Sequence, residues 1–208
     1  DKVNDYVSVI SQCGKTAATV DLDVFAVQNA YEANYDLDDT KVVALVNMGA
    51  GVTNINIIAR GATVFWRDIS FGGNQFSEAL QREFNLSFEQ AEALKRGEQV
   101  EETSAESLTP ILQAVSENIS TEIQRTFDFF RATSQEDRVD QIYLSGGAAK
   151  VHGLRDLLAD RLDAPVELLN PFLNVRYNEK DFDPAFLDDI GPSAAIAVGL
   201  AVRRVGDR

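Results

Sequence analysis

The apolar residues of this chain fall in short blocks whose spacing switches between the helical and the strand period. Val3, Tyr6, Val7 and Ile10 recur at helical spacing, and Gly14 follows them as a C′ glycine would, so the chain is expected to open on a helix. Lys15–Leu22 reads as a short strand, and Val24–Tyr31 as a helix with Asp23 near its N-cap. "DLDD" at 36–39 is an acidic turn. Three strands are then expected, Val42–Val46, Thr53–Ala59 and Thr63–Ile69. In the second, Thr53, Ile55, Ile57 and Ala59 share one face, and Asn54, Asn56, Ile58 and Arg60 the other. Gly61 marks the turn into the third, which makes an antiparallel meander.

"FGGNQFSEALQREF" opens a helix with Phe76, Ala79, Leu80 and Phe84 on one side. Ser87 and Gln90 form a capping box for "FEQAEALKRG", which Gly97 ends. Glu98–Ser107 reads as an exposed acidic loop. Thr109-Pro110 is expected to start a long helix, with proline at N1 and a buried stripe of Ile111, Leu112, Val115, Ile119, Ile123, Phe127 and Phe130. "QIYLSGGAAKVHGLRDLLADRL" reads as strand, glycine turn and helix, the helix carrying Leu154, Leu157, Leu158 and Leu162. Pro165–Leu168 is another short strand, and 174–189 an acidic loop. Pro192 is expected at N1 of a final helix of small residues, packed tightly against others. A meander, a helical insertion and a strand–helix–strand unit give an α/β fold, a mixed sheet flanked by helices.

Charge narrows the function. The 208 residues carry 33 acidic and 19 basic side chains, a formal charge of −14 that repels nucleic acid and anionic lipid. No apolar run approaches the ~20 residues that a bilayer requires, Ala194–Val202 coming nearest, so a soluble protein is expected. The single cysteine, Cys13, excludes an internal disulfide and is expected to be a small buried filler. His152 is the only histidine, which removes histidine-based triads and most zinc sites. A reducing, cytoplasmic setting is the expectation. The chain begins at Asp1 in what reads as mid-helix, as an excised piece would.

"GKT" at Gly14–Thr16 resembles the end of a P-loop, but the pattern needs glycine where Val9 stands and a strand where a helix enters. Two other places have phosphate-cradling chemistry, Gly49-Ala50-Gly51 and Gly146-Gly147, each directly after a strand. Glycine lets backbone amides turn toward a phosphate and leaves no Cβ in its way. Either place alone reads as a tight turn; their order around a capped helical insertion is more informative.

From about Asp21 onward these segments resemble the actin-like ATPase superfamily, with its ribonuclease-H-like fold, in the branch that holds the FtsA and PilM families. "DKVNDYVSVISQCG", "FAVQNAYEANY", "NMGAGVTNINII", "ISFGGNQFSEAL" and "AEALKRG" together resemble the type IV pilus assembly PilM family over nearly the whole chain. The resemblance implies a phosphate hairpin at Asn47–Asn54, with Gly49, Ala50, Gly51, Val52 and Thr53 lining the phosphates and Gly72 and Gly73 beside them. It implies an adenosine motif at Tyr143–Gly153, where Gly146, Gly147 and Ala148 pass beneath the nucleoside and Lys150 and Val151 lie nearby. Glu92 and Lys95, i and i+3 on one helix face, would lie over the ribose and adenine edge; read by themselves they are a solvated ion pair. Many relatives carry aspartate where Asn47 stands, so Asn47 would hold Mg²⁺ through water without a charge of its own. Asp23, at the head of the family's connecting helix, could orient an attacking water or could be an ordinary cap.

The implied ligand is ATP or ADP with Mg²⁺, and the implied partners are the cytoplasmic tail of PilN and other pilus machinery at the inner-membrane face. An FtsA-like cytoskeletal ATPase and a phosphotransferase on the same fold stay open. The implied division is residues 1–20 as the remnant of an inserted subdomain, 21–40 and 190–208 as first lobe and connecting helices, 41–85 and 136–189 as the second-lobe core, and 86–135 as the helical insertion. The superfamily's first phosphate loop, a D-x-G-[ST] strand pair, is not in these residues, so the chain alone is expected to bind ATP weakly and not to turn it over.

Overall fold

The computed structural model describes residues 2–100 and 103–204. Five strands form one sheet in the order β3-β2-β1-β4-β5, with β1 (Val42–Met48) at its centre. β1 runs antiparallel to β2 (Thr53–Ala59) and parallel to β4 (Gln141–Ser145). β3 (Ala62–Ile69) closes the meander through a turn in which Arg60 and Gly61 both have positive φ, the primed geometry that matches strand twist. β5 (Val166–Leu168) is the other edge. All seven residues of β1 are buried, because helices cover both sheet faces.

The larger core lies on one face. Ala44, Val46, Ile55 and Ile57 meet α3 (Gly73–Phe84), α4 (Phe88–Lys95), α5 (Ala105–Thr133) and α6 (Leu154–Leu162) there. On the other face Val43, Leu45 and Ile58 meet α2 (Asp23–Asn34) and α7 (Pro184–Ala201). The alternation expected for β2 is therefore the one observed. The capping box of Ser87 and Gln90, the stripe along α5 and the positive φ of Gly14 are likewise as expected.

Five expectations are corrected. Residues 15–22 form no strand: nearly all are exposed, and a segment without a neighbouring strand to pair with stays irregular. Cys13 is exposed rather than buried, since α1 (Lys2–Gln12) ahead of it buries none of its own residues among those described. α5 begins at Ala105, capped by Ser104, whose hydroxyl accepts from the Ser107 amide at 3.3 Å; Pro110 sits inside. Pro110 lacks the amide that would bond the Glu106 carbonyl, and its ring crowds that carbonyl, but only the first turns are affected and the proline does not set the terminus. The expected loop 98–107 also includes Glu101 and Glu102, which lie outside the described residues, as do Asp1 and 205–208. α7 starts at Pro184, not Pro192, because Asp183 caps it by accepting from the Ala185 amide at 3.0 Å. Asp23 is the first residue of α2 rather than its cap, the N-cap position being Leu22.

α7 is close-packed, as its small residues imply. A Cβ on Gly199 would stand 1.6 Å from the carbonyl oxygen of Ala26 on α2. Gly199→Ala is expected to push the two helices apart at a cost of roughly 2–4 kcal/mol, read as a lower midpoint in urea denaturation.

Candidate functional site

The hairpin between β1 and β2 is held from behind. The Gly49 amide donates to the Val52 carbonyl at 3.0 Å and closes the turn. The first amides of α3 then take its carbonyls: Gly73 donates to Gly49 at 2.9 Å and Asn74 to Ala50 at 2.8 Å. In a trans peptide the N–H points opposite to the preceding C=O. With both carbonyls turned toward α3, the amides of Ala50 and Gly51 face the other way, and among the described residues neither has an acceptor. Gly72 makes this approach possible, since a Cβ there would meet the Gly49 and Ala50 oxygens at 2.5 and 2.6 Å.

The second turn follows β4. Gly146, at φ 86°, crosses the backbone of Met48, and its amide donates to the Pro192 carbonyl of α7 at 2.7 Å. Gly147–Lys150 then forms a single 3-10 turn whose first two amides, Gly147 and Ala148, have no acceptor among the described residues. The two turns face one cleft of about 500 Å³, lined by Gly49, Ala50 and Gly73 on one side and Gly147, Ala148 and Lys150 on the other.

Glu92 and Lys95 of α4 line the same cleft, and not as a solvated pair. The Lys95 side chain is only 11% exposed; its ammonium donates to Glu92 at 2.5 Å, to the Ser77 hydroxyl at 3.0 Å and to the Gly73 carbonyl at 3.3 Å. Ser77 also donates to Glu92. Burial disfavours charge on Glu92, but the hydrogen bonds from Lys95 and Ser77, with the ammonium itself, outweigh it and hold the carboxyl below its ordinary value. Glu92 therefore keeps its charge to lower pH than an ordinary carboxyl would. Through Gly73, Lys95 is one peptide away from the hairpin.

Other residues named from the sequence stand outside the lining. Gly51 and Val52 are exposed at the hairpin tip. Thr53 is buried, its hydroxyl donating to the Phe71 carbonyl at 2.8 Å. Asn47 is buried within the sheet: its amide donates to Asn54 at 3.0 Å, and its oxygen accepts from Ser145 at 3.2 Å. Gly72 and Gly146 sit behind the two turns, and Asp23 is exposed on α2. His152 lies outside this cleft. The lining also includes Val151, inside the adenosine motif that the resemblance implies, and Arg96, Asp189 and Ser193, which sequence reasoning missed. Asp189 and Ser193 are one turn apart on α7, and Lys150 donates to the Asp189 carboxylate at 2.5 Å. A helix start placed at Pro192 hides that spacing by leaving Asp189 in a loop.

Relatives share this architecture. The chain is 25% identical to the ethanolamine utilization protein EutJ of Escherichia coli (strain K12) over 142 residues, which are 64% of this chain and 46% of EutJ. Among solved structures it is similar to the PilM–PilN type IV pilus biogenesis complex, with a TM-score of 0.86, 29% identity, and coverage of 99% of this chain and 58% of that one. MreB 5 of Spiroplasma citri bound to AMPPNP has a TM-score of 0.59 and 15% identity over 85% of this chain and 57% of that one, a likeness of fold alone. The chain thus spans about half the length of these three relatives, between 46% and 58%. The mixed sheet with its two-sided helical cover is that of the actin-like ATPases. Residues 1–205 match the family described as type IV pilus assembly protein PilM, and the chain belongs to that family.

Proposed function

We propose that this chain is the nucleotide-holding lobe of an actin-like subunit of type IV pilus assembly. ATP or ADP would lie in the cleft between the two glycine turns. The observation that carries this reading is their convergence on one cleft: Ala50 lines one side, with Gly51 beside it at the hairpin tip, and Gly147 and Ala148 line the other, and the amides of all four are left with no acceptor among the described residues. A polyphosphate needs such donors. The lining adds three cations, Lys95, Arg96 and Lys150, against two carboxylates, Glu92 and Asp189, a local positive excess in a chain of charge −14. Gly73 keeps the floor low: a Cβ there would come within 3.3 Å of both Ala148 Cβ and Lys95 Nζ.

Mg²⁺, when bound, would offset phosphate charge. Among the described residues no group of three or more His, Cys, Asp or Glu side chains is placed for a metal, and Asn47 offers one neutral oxygen already bonded to Ser145. The ion would be held by the phosphates and water. With Asp23 outside the lining, the nucleotide serves as a ligand that fixes the lobe rather than as a fuel.

In this reading the partner is the cytoplasmic tail of PilN at the inner-membrane face, with other pilus machinery beyond it. The likeness to the PilM–PilN complex supports the partner, and the absence of any helix long and apolar enough to cross a membrane among the described residues fits attachment through partners. The family match favours this reading over an FtsA-like filament protein or a phosphotransferase.

Amide NMR during ATP titration tests the site. Saturable shifts are expected at Ala50, Gly51, Gly147 and Ala148, with affinity weaker than micromolar because the opposite phosphate loop is not among these residues. Lys95→Ala is expected to weaken the titration about tenfold, one charge-assisted contact. An unresponsive cleft at millimolar ATP, or shifts confined to another surface, would end the proposal.

A further inference from the structure

α5 and α6 pack side by side on the sheet face opposite α2 and α7 and leave a groove of about 420 Å³ between them. This groove has no part in the nucleotide cleft. Its floor is apolar: Leu112 is buried and Leu157 half-buried. The Ser116 hydroxyl on that floor is already spent, donating to the Leu112 carbonyl at 2.7 Å. The walls carry three carboxylates, Glu117, Asp156 and Asp160, and one guanidinium, Arg161. Arg161 is engaged with Glu117 at 3.0 Å, tying α6 to α5. Asp156 meets Arg155 at 2.8 Å, with both side chains more than half exposed, where such a pair contributes little. Asp160 is exposed and has no ion-pair partner among the described residues.

An apolar floor along an anionic edge fixes what would fit. On α5 the lining spans Thr109 to Glu117, on the order of 12 Å at 1.5 Å per residue, which is about two turns of a guest helix. Asp156 and Asp160 stand one turn apart on α6, the spacing at which cations on a guest helix also repeat. A guest with apolar residues on one stripe and lysine or arginine beside it would cover Leu112 and Leu157 and pair with that edge. We propose that the α5–α6 groove docks a short, basic, amphipathic helix of a partner protein.

Fluorescence anisotropy on the full chain tests this with a fluorescein-labelled leucine–lysine peptide of helical period and a scrambled isomer of equal composition. The periodic peptide is expected to bind more tightly than the isomer. D156N/D160N is expected to weaken it by about tenfold, or ~1.4 kcal/mol. D36N/D39N removes the same charge from the exposed α2–β1 connection and is expected to leave binding unchanged. Hydrogen exchange should show peptide-dependent protection in α5 and α6. Equal binding of the isomer, equal loss in both double variants, or protection confined to another surface would each overturn the proposal, since each means general attraction to an acidic chain or a different site.

Discussion

Gly146→Ala is expected to lower the unfolding midpoint by roughly 10 °C, a loss of about 3–5 kcal/mol. Two independent penalties meet at this residue. Its φ of 86° disfavours any side chain, and a Cβ would lie 2.3 Å from the Met48 carbonyl oxygen and 2.8 Å from the Met48 nitrogen. The clash partner is the backbone of the central strand, which cannot move without breaking its pairing with both neighbours. Gly153→Ala is the control: φ there is +76°, but nothing lies within 4 Å of the added carbon. That variant should lose only the conformational penalty, about 1–2 kcal/mol. Differential scanning calorimetry of both decides it; equal midpoints would mean that the crossing over Met48 is not the constraint described here.

Gly72→Ala is expected to damage the ligand site more than the fold. Its φ of −168° is extended backbone that alanine adopts freely, so no conformational strain is added. The whole effect comes from a methyl group 2.5 Å from the Gly49 oxygen and 2.6 Å from the Ala50 oxygen. Relief requires the hairpin to lift off α3, breaking the bonds from Gly73 and Asn74 and turning the Ala50 and Gly51 amides out of line. In amide NMR those resonances should move before any nucleotide is added, and the ATP titration should weaken by about tenfold or more, the loss of one or two phosphate contacts. A variant with hairpin shifts and ATP response both unchanged would show that the close approach of Gly72 does not set the hairpin.

Much of the fold was legible because its signals are local. The meander follows from period-two alternation over Thr53–Ala59 and a turn at Gly61. The α4 start follows from Ser87 and Gln90, and the α5 core stripe from apolar residues three and four apart. The misreadings occur where a local rule has two solutions. Pro184 and Pro192 are both acceptable first-turn prolines, and Asp183 decides between them. Residues 15–22 read locally as a short strand, but pairing is a property of a neighbour they do not have. Of the candidate site, glycine placement was legible; Glu92 and Lys95 read by themselves as a solvated pair, and only the family resemblance implied a place at the site; Asp189 and Ser193 were not legible, because they reach the cleft only once α7 starts early.

The sequence by itself determined most of the helices and strands, where glycine must stand, and that the chain carries strong negative charge; such properties depend largely on residues within a turn or two of each other. Tertiary structure alone decided which way the amides face. The orientation of Ala50 and Gly51 is set by bonds from Gly73 and Asn74, and that of Gly146 by a bond to Pro192 and by contact with Met48. A peptide plane turns freely until distant atoms hold it, so donors aimed at a ligand are a property of the packed chain.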